Sequence, residues 1–222
     1  MAIEVETKDC TSLSDAELAD MGDICAGGPA RFDFGLLSKQ QEEWVLITLA
    51  RVDGKLHGFS FCTLERIGGT PSVLIGLGSV KRSSKRESVL RAIVTDQLRR
   101  AVLAFPDEDV LVGTRLSGPG GFEVYKALVD VVPRPGHKAT GEERAWGRRL
   151  VKRFGSEGTY DDRTFVLTGE GSPSCVLDHE SLRPEKIDAD VVALFDGIQP
   201  ERGDCLIAFG WALADDLLKL QP

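Results

Sequence analysis

The hydrophobic pattern divides the chain into segments of alternating and helical period. "IEVET" at the start alternates like a short strand. "SLSDAELADMGDICAG" then repeats at helical spacing, with Leu18, Met21 and Cys25 on one face, Ser14 and Glu17 spaced as a capping box, and Gly27-Gly28 at its end. Residues 35–43 fit a second short helix. Three strand patterns follow in succession: Trp44–Val52, the segment 55–67 and the segment 71–80. Asp53-Gly54 and Gly68-Gly69 stand between them as tight-turn signals, so they predict an antiparallel meander.

The period then changes. Leu90, Val94, Leu98, Ala101 and Phe105 recur at steps of three or four, predicting a helix over 87–105 that stops at Pro106. "DVLVGTRL" reads as a buried strand, and "PGGFEVYKALVDVV" as a turn and a short helix. "VPRPGHKATG" reads as a loop, and "EERAWGRRLVKRFG" as a basic amphipathic helix closed by Gly155. Later strands are predicted at 163–169 and 204–211, with a short helix in "IDADVVALFDG". The stretch from about 170 to 203 carries the weakest pattern. We see no internal repeat and no low-complexity tract.

Composition narrows the class. A 222-residue chain with 42% hydrophobic and 28% charged residues can bury a substantial core. A net charge of −8 argues against a general nucleic-acid binder. Five widely spaced cysteines, without a CxxC, argue against a disulfide scaffold and a zinc site. His57, His137 and His179 share no ligand spacing, so no metal is expected. The start lacks a signal-peptide pattern, and no apolar run reaches the roughly 20 residues that span a bilayer. The expectation is a cytoplasmic protein that binds neither nucleic acid nor membrane.

One local feature opposes the acidic whole. Between residues 81 and 100 stand seven basic residues (Lys81, Arg82, Lys85, Arg86, Arg91, Arg99, Arg100) and two acidic ones (Glu87, Asp96). The cluster falls where a strand gives way to the long helix. The first amides of a helix lack intrahelical partners and carry the positive end of its dipole, which favours an anion such as phosphate. The competing reading is a solvated turn with Ser88 as an ordinary N-cap.

The order of elements, together with this turn, resembles the GCN5-related N-acetyltransferase (GNAT) family over roughly residues 3–130. That family carries an R/Q-x-x-G-x-G/A turn before its long helix. Lys85-Arg86-Glu87-Ser88-Val89-Leu90 is the closest match, with Ser88 and Leu90 in place of the two glycines. "FEVYKAL" resembles the family's FYxxLGF segment, matched at Tyr125 and Leu128 but without the following Gly-Phe. The resemblance implies an α/β fold with a mixed, mainly antiparallel sheet of about six or seven strands and helices on both faces. It implies a GNAT-like domain over 1–169, with 170–222 as an extension completing the sheet.

For function it implies acetyl transfer from acetyl-CoA to a primary amine on a small molecule or peptide. The pyrophosphate would lie at residues 80–88, held by Lys85, Arg86, Glu87, Ser88 and Val89. The thioester would lie beside Leu77, Gly78, Ser79 and Val80. Tyr125 is the candidate acid and Glu65 the candidate base. Acceptor contacts are expected from residues 30–43 and 131–162, and a homodimer is compatible with the resemblance. The missing glycines keep open the alternative of a GNAT-like binding or interaction module without catalysis.

Overall fold

A computed structural model describes residues 2–28, 32–156, 158–171 and 174–220. Residues 30 and 31 of one expected acceptor segment, and residue 157 of the other, lie outside these. The chain opens with β1 (Ile3–Asp9), α1 (Asp15–Ala26) and α2 (Phe34–Glu43). Ser14 and Glu17 form the predicted capping box at the head of α1, and the Asp33 side chain caps α2. The meander is β2 (Leu46–Val52), β3 (Lys55–Ile67) and β4 (Thr70–Val80). Both of its turns use positive φ at two successive residues, 53–54 and 68–69, as two-residue hairpins require.

α3 (Arg86–Ala104) leads into β5 (Val110–Leu116). "PGGFEVYKA" then forms a 3-10 stretch at Pro119–Ala127 before β6 (Val129–Val132). α4 (Gly141–Arg153) is followed by β7 (Thr159–Asp161), β8 (Val166–Thr168), β9 (Leu177–Asp178), α5 (Ala189–Ala193), β10 (Cys205–Ala212) and α6 (Ala214–Leu218).

All ten strands join one sheet in the order β1-β2-β3-β4-β9-β5-β10-β8-β7, with β6 beside β10. The expected six or seven strands therefore become ten. The additions are β6, β7 and β9, pieces of two to four residues too brief to show an alternating pattern, while β8 falls within the strand predicted at 163–169. Strands from both sides of residue 169 interleave, with β9 and β10 inside the sheet rather than at its margin. Most pairs are antiparallel, while β4, β5 and β9 run parallel to one another.

α1 and α3 pack on opposite faces of the meander. Gly58 in β3 meets Val89 and Ile93 of α3. Ser79, which pairs with the next β3 residue, Phe59, turns instead toward Cys25 of α1. The continuous core includes Phe59, Phe61, Leu74, Leu90 and Phe209, all nearly inaccessible. The Thr7 hydroxyl spans the sheet edge, 2.8 Å from Thr48 Oγ1 and 2.6 Å from Asp96 Oδ2 on α3.

Two features of β4 shape the site. Its register against β3 slips, so that three steps from Ile75 to Gly78 answer two from Cys62 to Ser60, placing a bulge at residues 76–77. Gly76 in that bulge lies directly under the Trp44 indole, where a Cβ would come within 2.5 Å of ring carbons. Trp44 is held from its other side, its Nε1 donating to Gln40 Oε1 at 3.0 Å. Gly76→Ala must therefore push the indole away or distort the bulge. The expected cost is about 1–3 kcal/mol, measured as a lower midpoint in urea unfolding with unchanged slope; a neutral result would mean that Trp44 is free to move.

Candidate functional site

β4 and β5 begin as direct neighbours and then part. Ser72–Ile75 pair with Leu111–Thr114, but beyond Ile75 the two strands diverge around the bulge. The gap is filled by the chain itself. Leu177 pairs with Gly78 on one side and Leu116 on the other, and Asp178 pairs with Ser79. The Gly78 amide donates to Val176 O at 3.2 Å. Gly78 lacks the side chain that would press on Leu177, since a Cβ there would lie 2.9 Å from Leu177 Cδ1.

At the open end of this gap lies the basic turn. Lys81 N donates to His57 O, Ser83 N to Lys81 O and Arg86 N to Ser83 O, which brings Arg82 and Arg86 to the head of α3. Arg82 Nη2 donates to Asp178 Oδ1 at 2.9 Å, and its Nη1 donates to Val80 O at 3.1 Å. Asp178 is almost wholly buried and its other oxygen accepts from Ser79 Oγ at 3.3 Å. Gly28 packs so closely on this pair that it has no room for a side chain. Glu180 stands farther off, 3.5 Å from Arg82 Nε and 3.6 Å from Arg86 Nη1. The Nε atoms of both arginines are buried and make no hydrogen bond. The turn thus keeps two buried Nε donors without a hydrogen bond beside the Glu180 carboxylate.

The first turn of α3 grips the same segment. Glu87 Oε1 accepts from Leu182 N at 3.1 Å and from Ser181 Oγ at 3.2 Å. Burial pushes the Glu87 carboxyl up, but the Leu182 amide and Ser181 hydroxyl outweigh this and hold it below its ordinary value of 4.5. Residues 176–182 are thus fastened to β4, to the turn and to α3.

The predicted residues divide by position. Leu77, Gly78, Ser79 and Val80 line the gap at β4, and Arg86 and Glu87 meet segment 176–182. Lys85 is the N-cap residue of α3, its side chain supplying no cap, while its amide donates to Ser83 Oγ at 3.3 Å. Ser88 is exposed and borders a shallow groove with Ile3 and Val5 of β1. Val89 and Leu90 are core residues.

Tyr125 is buried and donates from its hydroxyl to Ala208 O at 2.7 Å; burial raises its pKa well above the usual 10. Glu65 pairs with Arg153 at 2.6 Å. It lies opposite Ser72, six residues before Gly78 and so roughly 20 Å down the strand. The structure does not bring Glu65 to the turn.

Arg82 and Asp178 complete the arrangement, and sequence reasoning gave Asp178 no role. It sits in the weakly patterned stretch after 170, and no local signal marks it. Segment 176–181 also walls a cavity of about 440 Å³ that includes the buried His179. Neither nitrogen of this ring has a partner, and burial, then the nearby Arg82, pushes its pKa down to about 4. Among the described residues no group of His, Cys, Asp and Glu is placed to hold a metal ion, and no helix is long and apolar enough to cross a membrane.

No family model matches the chain, and no curated protein matches it in sequence. Several solved structures are similar to it in structure. The ribosomal-protein-S18-alanine N-acetyltransferase from Escherichia coli is 11% identical, with 95% of each chain covered and a TM-score of 0.49. Aminoglycoside 6'-acetyltransferase type Ii is 15% identical, covering 59% of this chain and 86% of its own, at a TM-score of 0.43. A GNAT family acetyltransferase from Brucella melitensis, in complex with acetyl-CoA, is 13% identical, covering 49% of this chain and 75% of its own, at a TM-score of 0.36.

The Glu87 contact makes a pH prediction. A carboxyl whose folded pKa is depressed stabilises fully above its unfolded value and loses this as pH falls toward the folded value. The Leu182 amide should therefore exchange with solvent slowly near pH 6. After correction for intrinsic rates, its protection should fall as the pH drops below about 4.5. Glu87→Gln should remove that pH dependence. Equal protection at both pH values in the native protein would mean that the contact is not made.

Proposed function

We propose that the protein is an acyl-CoA-dependent N-acyltransferase, with acetyl-CoA the simplest donor and a primary amine the acceptor. The observation that carries this reading is the parting of β4 and β5 beside a basic helix start with spare guanidinium donors. Once β9 withdraws, the β4 edge at Gly78 would suit the amide-containing arm of the cofactor, and Arg82, Arg86 and the amides leading into α3 would suit its pyrophosphate. The reaction forms a bond from the amine nitrogen to the thioester carbonyl carbon and breaks the carbon–sulfur bond. The amine's proton passes to a base, and the thiolate accepts a proton or leaves charged. The Gly78 amide at the bulge is the donor best placed to polarise the carbonyl. Tyr125 could serve the thiolate only after its hydroxyl leaves Ala208 O.

This reading requires a movement. The cofactor arm and residues 176–180 compete for the same groups: the Gly78 amide, Arg82 and Arg86. Segment 176–182 must withdraw from β4 before the arm can enter, so its contacts subtract from cofactor affinity.

A second reading starts from that same occupancy. The filled gap and the committed Tyr125 hydroxyl suit a binding module that keeps the scaffold without the chemistry.

The two readings separate by calorimetry with acetyl-CoA. In the enzyme reading, Lys85→Ala with Arg86→Ala weakens binding by about tenfold or more, because charge-assisted contacts contribute roughly 1.5–3 kcal/mol each when well formed. Glu180→Gln, which frees both arginines from an exposed carboxylate, tightens binding by a few-fold. Absence of binding to the native protein and to Glu180→Gln at millimolar acetyl-CoA would leave the module reading.

A further inference from the structure

Arg115 is a buried cation that forms no ion pair among the described residues. It projects from β5 between Thr114, the last residue to pair with β4, and Leu116, the first to pair with β9. It therefore marks the point where the strands part. Its residue is 6% exposed. Nη1 donates to Ser156 Oγ at 3.2 Å, and the guanidinium lies over the Phe154 ring at 4.8 Å. Its Nε is buried and makes no hydrogen bond. No carboxylate among the described residues comes within ion-pair distance of it.

The neighbours compensate the charge only at a distance: Glu43 and Glu170 border the space beside it, and neither pairs with Arg115. Burial raises the pKa of both adjacent thiols, Cys175 and Cys205, so they stand neutral beside it. Glu43, the nearest acid on α2, is already held by Lys39 at 3.6 Å and by the Gln40 amide at 2.6 Å. Leaving a guanidinium buried and unpaired is costly, and in a finished fold such a group is paired, hydrogen-bonded or reserved for a ligand.

Beside Arg115 is a cavity of about 280 Å³. Lys39 and Gln40 from α2 border it on one side, and Phe154 and Ser156 after α4 border it on another. These belong to the two segments expected from sequence to meet the acceptor. The planar fork of arginine matches a carboxylate with two parallel hydrogen bonds, and stacking on Phe154 fixes its plane.

We propose that this cavity binds the acceptor through a carboxylate anchored by Arg115, so that the acceptor is an amine of the amino-acid class. Calling the ligand an acceptor rests on the acyl-transfer reading; the carboxylate site itself does not.

The test uses the full chain without cofactor. L-leucine, L-leucine amide and acetate are titrated by calorimetry into the native protein, Arg115→Met and Arg115→Lys, and the melting temperature of each variant is measured. Leucine should bind at least tenfold more tightly than its amide, acetate should compete with it, and Arg115→Met should abolish the difference. Arg115→Lys keeps the charge but loses the fork and should fall between. Arg115→Met should melt at or above the native temperature, because it removes an unpaired buried charge. The proposal is overturned if leucine and its amide bind alike, if neither leucine nor acetate binds, or if Arg115→Met melts several degrees lower. Failure of acetyl-CoA to bind, with leucine binding intact, would instead remove the transfer reading and leave the carboxylate site standing.

Discussion

The Arg82–Asp178 ion pair governs the arrangement of the site. Asp178 has almost no contact with solvent, and Arg82 has little. Burying two charges is worthwhile only when their remaining hydrogen-bonding capacity is used. Here Ser79 completes the carboxylate, and Val80 O takes a second arginine donor. The pair ties together pieces distant in sequence: the end of β4, the turn into α3 and the strand β9. Gly28 after α1 closes over it. The pair joins β9 to the turn and so helps to hold β9 in the gap between β4 and β5.

Two buried arginines thus show opposite solutions to one problem. Arg82 is matched from within the chain, and its match fills the gap. Arg115 is matched by a serine hydroxyl and an aromatic face, with no ion pair among the described residues. The first is closed by the chain's own contacts, and the second is where we propose that a ligand carboxylate binds. Both lie where β4 and β5 separate, so filling the gap and binding at Arg115 concern the same region of the sheet.

The fold was largely legible because its long elements carry strong local signals. The capping box at Ser14, the glycine-containing turns at 53–54 and 68–69, and the apolar stripe of α3 each specify their own geometry. The basic turn was equally visible as a charge excess. What could not be read was pairing. β9 has two residues and no alternation, and its place between β4 and β5 depends on contacts roughly 100 residues away. Asp178 gains its role only from Arg82. Arg115 looks from sequence like one polar residue in an apolar strand, and only burial makes it exceptional. Glu65 stands near the end of the strand predicted over 55–67, but whether it reaches the turn depends on which end of that strand faces it, which only pairing sets.

In the proposed acyl-transfer reading, segment 176–182 and acetyl-CoA contend for the gap. Hydrogen exchange of that segment, measured with and without saturating acetyl-CoA, tests it most directly. Withdrawal from β4 would speed exchange at Leu177, Asp178 and Leu182 while α3 and β10 stay protected. Saturation with acetyl-CoA that left those amides unchanged, or slowed them, would contradict the account.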